Sequence, residues 1–359
     1  MSYKFYRGAL NKIFDGLGGK NKGVPTSSKM LNKWITNIQK ERIYIISGSS
    51  GSGKTSFANE LYVFSMFDEY IKHGKIKPEI IYFSFEMTRE NLIGKLICRW
   101  LYTNNNIIIS PNQLFSYGDN RCPKKVLDII KQEECQNYIS KFEEITKVFD
   151  ISMGVNEIVS ILESVGQKNG SFEEKDNGFK TYVEHEEGKH VLIVIDHAAL
   201  VKLTPGKSKK STIDDLTPHL IRLRKMYKFS IVILQQLNRN ISSTDRLKLD
   251  QMLPNDADLK ETSDLYDACD VCLGIFNPFK YRIPRTFGYD ICTDDASKKK
   301  FFLEDRFRIM NIMKNRHGDN NKIMPVGFIG ENGIIIDLPA SSKLDIFNFN
   351  DIIEKKLIA

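Results

Sequence analysis

Short runs of apolar residues recur along the chain, separated by polar or glycine-containing stretches. Runs of this length, rich in β-branched and aromatic residues, are typical of strands buried on both faces of a parallel sheet. We predict such strands within Ile43–Ile46, Glu79–Thr88, Val191–Ile195, Ser230–Leu234 and Phe307–Met313. Near the end of the chain, Val326–Ile329 and Gly333–Asp337 are predicted to pair as a closing hairpin.

Between these runs, apolar residues recur every three or four positions, which predicts amphipathic helices. We expect helices over residues 3–16, from Val24 to Lys40 and over Ile213–Tyr227, with residues 104–180 mainly helical. The charged, glycine-containing tract Gly166–Gly188 is predicted to be a surface loop. Strands that alternate with helices indicate an α/β fold, with a mostly parallel central sheet flanked by helices.

The 359 residues are enough for one large α/β domain or two smaller ones. We predict three segments. Residues 1–22 form a short helix and a flexible glycine-containing linker, residues 23–340 form the main domain, and residues 341–359 form a C-terminal tail. Within the main domain, residues 277–300 are expected to be an irregular surface insertion.

Composition narrows the class of protein. The chain is 41% hydrophobic and 27% charged, as in soluble globular proteins. No apolar run approaches the roughly 18 residues that span a bilayer, and the first residues lack the apolar core of a signal peptide. We therefore expect a cytoplasmic protein without a membrane partner. The net charge of +7 permits nucleic acid as a partner without requiring it.

The strongest chemical signal follows the first predicted strand. Residues 48–55 match the pattern G-x-x-x-x-G-K-[ST], between a strand and a helix that opens at Lys54. Glycines let successive backbone N–H groups converge on a phosphate, and the helix N-terminus adds partial positive charge. The sequence therefore predicts a P-loop that binds a nucleoside triphosphate through Gly48, Ser49, Ser50, Gly51, Ser52, Gly53, Lys54, Thr55 and Ser56.

Polar residues end two later strands. Asp196 follows the run Val191–Ile195, which is the Walker B pattern, and is predicted to hold Mg²⁺ together with the Thr55 hydroxyl. Gln236 follows the run Ser230–Leu234, and an uncharged amide at this position is suited to sensing the γ-phosphate.

The order of the motifs resembles one family. After the P-loop come Phe83-Ser84-Phe85-Glu86-Met87, the Asp196 strand, Gln236-Leu237-Asn238-Arg239, Asp258-Leu259-Lys260-Glu261 and Lys314-Asn315-Arg316-His317-Gly318. Together they are similar to the RecA-fold motor domain of DnaB-type replicative helicases, over about residues 23–337.

The resemblance implies roles for individual residues. Glu86 would activate the attacking water, Asp196 would handle Mg²⁺, and Gln236 would couple the γ-phosphate to the DNA loops. Arg316 would be an arginine finger in the next subunit's site, with Lys314 beside it. DNA contacts would come from channel loops and neighbouring cations: Lys207, Lys209, Lys210, Arg239 and Lys260.

The resemblance also implies partners: single-stranded DNA, further copies of the chain in a ring that is expected to be hexameric, and a primase or loader. Fewer than 25 residues precede Val24, so we expect the family's amino-terminal domain to be absent. The abundance of Ile, Asn and Lys suits an AT-rich genome such as a phage's, which would place the protein in the host cytoplasm.

Sequence differences from the family leave a second hypothesis open. His197 stands where tyrosine is usual, and Lys260 and Ser263 stand where arginine and glycine are usual. The leading hypothesis is a motor that translocates on single-stranded DNA and unwinds duplex DNA. The alternative is a RecA-like DNA-binding or loading ATPase that uses ATP as an assembly switch without unwinding.

Overall fold

The computed structural model describes residues 4–174, 180–238, 241, 246, 252–293 and 302–354. In these residues the strands are β1 Arg42–Gly48, β2 Lys77–Ser84, β3 Thr146–Phe149, β4 Gly170–Glu174, β5 Lys180–Glu184, β6 Lys189–Asp196, β7 Ser230–Gln236, β8 Val271–Phe276, β9 Arg285–Thr286, β10 Tyr289–Asp290, β11 Phe307–Asn315, β12 Ile323–Ile329 and β13 Ile334–Asp337.

Nine of the strands form one sheet in the order β13-β12-β11-β8-β1-β7-β6-β2-β3. The six strands from β8 to β3 pair in parallel, whereas β11, β12 and β13 are antiparallel. The prediction of an α/β fold with a mostly parallel sheet is confirmed. The predicted closing hairpin is also present, as β12 and β13.

Helices pack on both faces of this sheet. Their bounds are α1 Lys4–Leu17, α2 Lys29–Asn32, α3 Lys54–Ala58, α4 Phe64–His73, α5 Arg89–Asn105, α6 Pro111–Leu114, α7 Lys124–Ile130, α8 Glu133–Ile145, α9 Val155–Asn169, α10 Lys209–Tyr227, α11 Ser263–Ala268 and α12 Ile346–Ile353. A turn of π-helix, Asn59–Val63, joins α3 to α4. None of the helices in the described ranges is long and apolar enough to cross a membrane.

The two faces of the sheet carry separate apolar cores, because side chains alternate along a strand. In β1, Tyr44 and Ile46 lie in the core under α3 and α4, whereas Ile43 and Ile45 lie in the core under α9 and α10. All four side chains are almost fully buried. The uninterrupted apolar run of β1 is therefore explained by burial on both faces.

The predicted helix from Val24 to Lys40 is wrong. Only Lys29–Asn32 is helical, capped by the Ser28 side chain, and Val24 pairs with Ile38 through two backbone hydrogen bonds of 3.0 and 2.7 Å. The apolar spacing arose because Val24, Leu31 and Ile38 all contact the core from a folded-back loop.

The surface loop predicted at Gly166–Gly188 is also wrong. Helix α9 continues to Asn169, and the antiparallel strands β4 and β5 follow. Phe172 and Tyr182 are cross-strand partners, and their rings pack on Tyr227 of α10 at centroid distances of 5.9 and 5.3 Å. This aromatic contact gives a charged, polar tract a defined hairpin.

Two other regions depart from the prediction. Residues 104–180 contain helices α6 to α9, but also the edge strand β3. The insertion predicted to be irregular at 277–300 contains the two-stranded pair β9–β10 within its described part.

The two ends of the described chain differ in packing. In α12, Phe349 and Ile353 are buried, and the Tyr102 hydroxyl donates a 2.6 Å hydrogen bond to the Ile353 carbonyl. In α1, Ile13, Phe14 and Leu17 are 56%, 64% and 80% exposed. The apolar face of α1 is therefore uncovered in the described part of the single chain.

A buried ion network joins the helix that follows β1 to α5. The Arg99 guanidinium donates to the Glu60 carboxylate at 2.7 Å and to the Asp68 carboxylate at 2.7 Å, and lies over the Phe64 ring. Both Arg99 and Glu60 are buried. Removing one partner would leave a buried charge without compensation.

We expect Arg99→Met to destabilise the fold by about 3 kcal/mol, because Glu60 would stay buried without its cation. Chemical denaturation measures the loss. Arg89→Met is the matched control, because Arg89 pairs with Asp150 at the exposed surface. An equal loss in both variants would contradict a special role for the buried network.

Candidate nucleotide-binding site

The predicted P-loop lies between the end of β1 and the start of α3. Gly53 precedes Lys54 with φ +99°, a left-handed conformation that disfavours other residues. A Cβ atom at Gly48 would lie 2.3 Å from the Ser52 hydroxyl oxygen, so a side chain there would displace the loop. The loop geometry thus depends on glycine at both positions, as a phosphate cradle at a helix N-terminus requires.

Three more predicted residues reach the same edge of the sheet. Parallel strands end at a common edge, where ligands bind in open α/β sheets. Asp196 ends β6 opposite Ser84 of β2, two residues before Glu86. Gln236 ends β7 opposite Gly48. The structure therefore brings Glu86, Asp196 and Gln236 to the P-loop.

Lys54 is a partly desolvated cation within this group. Burial lowers the pKa of its ammonium, while the Glu86 and Asp196 carboxylates act in the opposite direction. Its Nζ atom donates a 3.2 Å hydrogen bond to the Ser49 carbonyl. The ammonium is thus held at the loop, where it can neutralise phosphate oxygens.

Asp196 is almost fully buried. Burial raises the pKa of its carboxyl group and the Glu86 charge adds to this rise, whereas hydrogen bonds from Thr55 and Tyr82 oppose it. A cation beside Asp196 would favour the ionised form.

The Asp196 carboxylate and the Thr55 hydroxyl are adjacent, and oxygen donors of this kind are those that Mg²⁺ prefers. No group of three or more His, Cys, Asp or Glu side chains within the described residues could hold a metal without such help. The residues present fit a nucleotide-bound Mg²⁺.

Glu86 lies at the open side of the site. Its side chain is 63% exposed, and its Oε2 atom lies 4.0 Å from Nε2 of His197. Burial lowers the pKa of His197, and the Glu86 charge partly opposes this. Glu86 is thus a carboxylate in contact with solvent water beside the phosphate cradle.

Sequence reasoning missed Lys95, a half-buried residue of α5. Burial lowers the pKa of the Lys95 ammonium, and the Asp196 and Glu86 carboxylates oppose the effect. Lys95 is therefore a second cation near the Asp196 and Glu86 carboxylates. The signal in the sequence was a lysine flanked by the apolar residues Ile93 and Leu96 of a helix.

Two other cations that were missed hold the P-loop from outside. The Lys280 ammonium donates a 2.6 Å hydrogen bond to the Ser50 carbonyl. The buried Arg308 donates to the Ser52 carbonyl at 3.1 Å, with its guanidinium 4.6 Å from the centroid of the Phe328 ring. A charged residue inside the apolar strand β11 was the available signal for Arg308.

Arg316 and Lys314 lie at the opposite edge of the sheet, where the parallel strands begin. β11 is antiparallel to β8, so its last residues pair with the start of β8, far from the P-loop. The Arg316 side chain donates to the Asp267 carbonyl at 2.8 Å and lies 3.8 Å from the Asp270 carboxylate. Lys314 donates to the Tyr266 and Asp267 carbonyls. The structure does not bring this pair to its own nucleotide site.

Three of the predicted DNA-contacting residues, Lys207, Lys209 and Lys210, lie at the start of α10 or just before it. Lys207 and Lys210 form ion pairs with Asp215 and Asp214 at 2.6 and 3.1 Å, at the start of α10. Lys209 is exposed at the same helix start, on the P-loop edge.

Lys260 lies in the 3₁₀ turn Asp256–Thr262. The Asn238 backbone N–H donates to the Asp258 carbonyl in that turn at 3.0 Å. Arg239 lies outside the described residues.

Comparison with known proteins agrees with this arrangement. The chain superposes on a solved structure described as an ATPase domain with a TM-score of 0.67 at 18% identity, covering 94% of this chain and 99% of that one. A second, "The Structure Of A DnaB-Like Replicative Helicase And Its Interactions With Primase", gives 0.66 at 18% identity, covering 92% and 68%. These likenesses show a RecA-like fold.

No curated protein sequence matches the chain. The family model described as "DnaB-like helicase C terminal domain" matches residues 23–332. That span includes the P-loop, Glu86, Asp196, Gln236 and Arg316. The chain therefore belongs to the DnaB-like helicase C-terminal domain family and is an ATP-dependent DNA helicase.

Proposed function

We propose that this chain is the motor subunit of a ring, expected to be hexameric, that translocates on single-stranded DNA and unwinds duplex DNA by hydrolysing ATP. The observation that carries the proposal is the separation of Arg316 from its own P-loop. Because Arg316 lies away from the site of its own subunit, a neighbouring copy would supply the finger. Hydrolysis then depends on assembly.

The length of β11 supports this argument. Arg308, near the start of the strand, contacts the P-loop at Ser52, while Arg316 follows its end. The eight residue steps from Arg308 to Arg316 span about 26 Å at roughly 3.3 Å per residue. No arginine side chain covers that distance, so Arg316 cannot reach the P-loop of its own subunit.

The chemistry assigned to the site is phosphoryl transfer to water. Lys54 and the backbone N–H groups of the P-loop bind phosphate oxygens, and Lys95 adds positive charge near the carboxylates. Glu86 orients a water molecule and accepts its proton. Arg316 of a neighbouring copy compensates the charge that develops in the transition state.

Thr55 and Asp196 would hold Mg²⁺. The ion would supply positive charge that offsets the charge of the phosphates. Gln236, beside Gly48 at the P-loop edge, is placed to contact the γ-phosphate.

The exposed apolar face of α1 also supports assembly. A helix with Ile13, Phe14 and Leu17 facing solvent is stabilised when it docks on another surface. The glycine-containing linker that follows lets α1 reach a neighbouring copy of the chain. We propose that α1 docks on the next subunit.

The DNA path is proposed along the P-loop edge. Asn238 ties the end of the Gln236 segment to the turn that carries Lys260, so a displacement at the γ-phosphate would move that turn. Near the start of α10, Lys209 is favoured over Lys207 and Lys210 as a contact to the DNA backbone, because the other two already pair with aspartates. Lys260 stays a proposed contact because of the turn in which it lies. Arg239 stays a candidate.

Partners beyond the ring follow from the family. A primase or a loader is a candidate partner, because the DnaB-like replicative helicase named above interacts with primase. The proposed setting is the cytoplasm, or the host cytoplasm for a phage protein. The family match does not favour a loading ATPase without unwinding activity.

Two substitutions should abolish hydrolysis for different reasons. Lys54→Ala should weaken nucleotide binding, because the phosphates lose their cation. Glu86→Gln should keep binding but slow turnover by about 10²- to 10⁴-fold, because only the proton acceptor is removed. Nucleotide titration and steady-state ATPase assays separate the two, with the exposed Glu90→Gln as control. Wild-type turnover in Glu86→Gln would move the catalytic assignment to another carboxylate.

Arg316 should act on a neighbouring subunit. Arg316→Ala should lower the rate on the order of a thousandfold in uniform rings. Mixing Arg316→Ala with Lys54→Ala subunits should restore part of the activity, because some interfaces then join an intact P-loop to an intact finger. Mixing Arg222→Ala with Lys54→Ala controls for dilution. If rings form and no mixture recovers activity, the finger assignment fails.

The lysines should differ in their contribution to DNA binding. The double variant Lys209→Ala/Lys260→Ala should flatten the log-affinity versus log-salt slope for single-stranded DNA by roughly 0.7 per lost contact. Lys207→Ala/Lys210→Ala should change it less, because those ammonium groups already pair with Asp215 and Asp214. Fluorescence anisotropy over a salt series measures both. A larger effect in the second variant would reverse the assignment.

A further inference from the structure

A row of buried polar side chains, Asn59 and Tyr82, leads to the predicted magnesium ligand Asp196. Tyr82 of β2 is fully buried, and its hydroxyl oxygen lies 3.3 Å from Oδ2 of Asp196 and 3.1 Å from Oδ1 of Asn59. Asn59 is also buried and lies four residues after Thr55, on the helix that the P-loop opens. This row of side chains thus links the end of β6 to the P-loop helix.

The hydroxyl has one proton and two candidate acceptors. If the Tyr82 proton goes to Oδ1 of Asn59, the Asn59 Nδ2 group has no hydrogen-bond partner among the described residues. A buried donor without a partner costs free energy. The carboxamide has the same shape after a half-turn, which exchanges its oxygen and nitrogen.

In the second orientation, Asn59 Nδ2 donates to the Tyr82 oxygen, and the Tyr82 hydroxyl proton is directed at the Asp196 carboxylate. Asp196 then accepts hydrogen bonds from Tyr82 on one side and from Thr55 on another. These contacts fix the rotation of a carboxylate that would otherwise be held by its backbone alone.

We propose that Tyr82 is a positioning residue that orients the Asp196 carboxylate for Mg²⁺, with Asn59 directing the Tyr82 proton. The proposal rests on the proposed function, which assigns Asp196 to the metal. Groups that orient a metal ligand in this way commonly change metal affinity by 10- to 100-fold when removed. Nothing in the P-loop pattern or the strand pattern of β2 calls for a tyrosine at this position.

Tyr82→Phe tests the proposal with the full chain. A non-hydrolysable ATP analogue is titrated by calorimetry with and without Mg²⁺, and ATPase activity is titrated with Mg²⁺. We expect unchanged affinity without Mg²⁺, and an increase of about tenfold in the Mg²⁺ concentration for half-maximal effect in both assays. Turnover at saturating Mg²⁺ should stay within about twofold of wild type, because no group that touches substrate is removed.

Tyr62→Phe is the matched control. Tyr62 is buried in the same core, and its hydroxyl has no hydrogen-bond partner among the described residues. Its substitution should leave the Mg²⁺ dependence unchanged. Tyr82→Met also removes the hydroxyl and fills the core with an adaptable side chain; it should shift the Mg²⁺ dependence in the same direction as Tyr82→Phe, and it decides the matter if Tyr82→Phe folds poorly by thermal denaturation. Asn59→Leu leaves Asp196 as the acceptor of the Tyr82 proton and should keep the Mg²⁺ dependence close to wild type.

A wild-type Mg²⁺ dependence in Tyr82→Phe, or an equal shift in Tyr62→Phe, would overturn the proposal. Absence of ATP hydrolysis in the wild-type chain would instead contradict the proposed function. In that case the Mg²⁺-dependent binding of the analogue would still test Tyr82.

Discussion

The site depends on the parallel pairing of β1 with β7 on one side and β8 on the other. Because the strands run in one direction, the phosphate loop after Gly48, the amide of Gln236 and, through β6, the carboxylate of Asp196 arrive at one edge. A reversal of any of these strands would carry its terminal residue to the opposite edge. The apolar side chains on both faces of β1 hold this register, since a slip of one residue would exchange the two cores.

Charge is compensated by close partners around this edge and behind it. Lys54 and Lys95 face Asp196 and Glu86, while Arg308 and Lys280 hold loop carbonyls. At the far edge, the buried carboxylate of Asp270 is close to Arg42, Arg224, Arg316 and His317. Arg316 is partly exposed in this cluster of cations, as its proposed role at a neighbouring site requires.

The strand, loop and helix around the P-loop could be predicted from the sequence, and so could the positions of Asp196 and Gln236 at strand ends, because these are local patterns. The sequence did not predict the loop at Val24–Ile38, since buried positions in a folded-back segment can imitate helical spacing. It also missed the β4–β5 hairpin, whose stability comes from Tyr227, more than forty residues away. Lys95 and Tyr82 were missed for a related reason: their neighbours in the site come from other strands, and no local pattern records them.

The position of β11 has a consequence for how ATP hydrolysis would be coupled between neighbouring subunits of the proposed ring. Arg308, the second residue of β11, donates to the Ser52 carbonyl in the phosphate loop of its own subunit, and the strand ends beside Arg316 at the opposite edge of the sheet. β11 pairs with a strand on each side, with one register irregularity against β8 between Ile312 and Lys314, so it connects the phosphate loop to the opposite edge within one sheet. In the proposed ring, β11 of each subunit would therefore connect two neighbouring ATP sites. A displacement of the phosphate loop on hydrolysis at one site would move the Arg316 finger toward or away from the next.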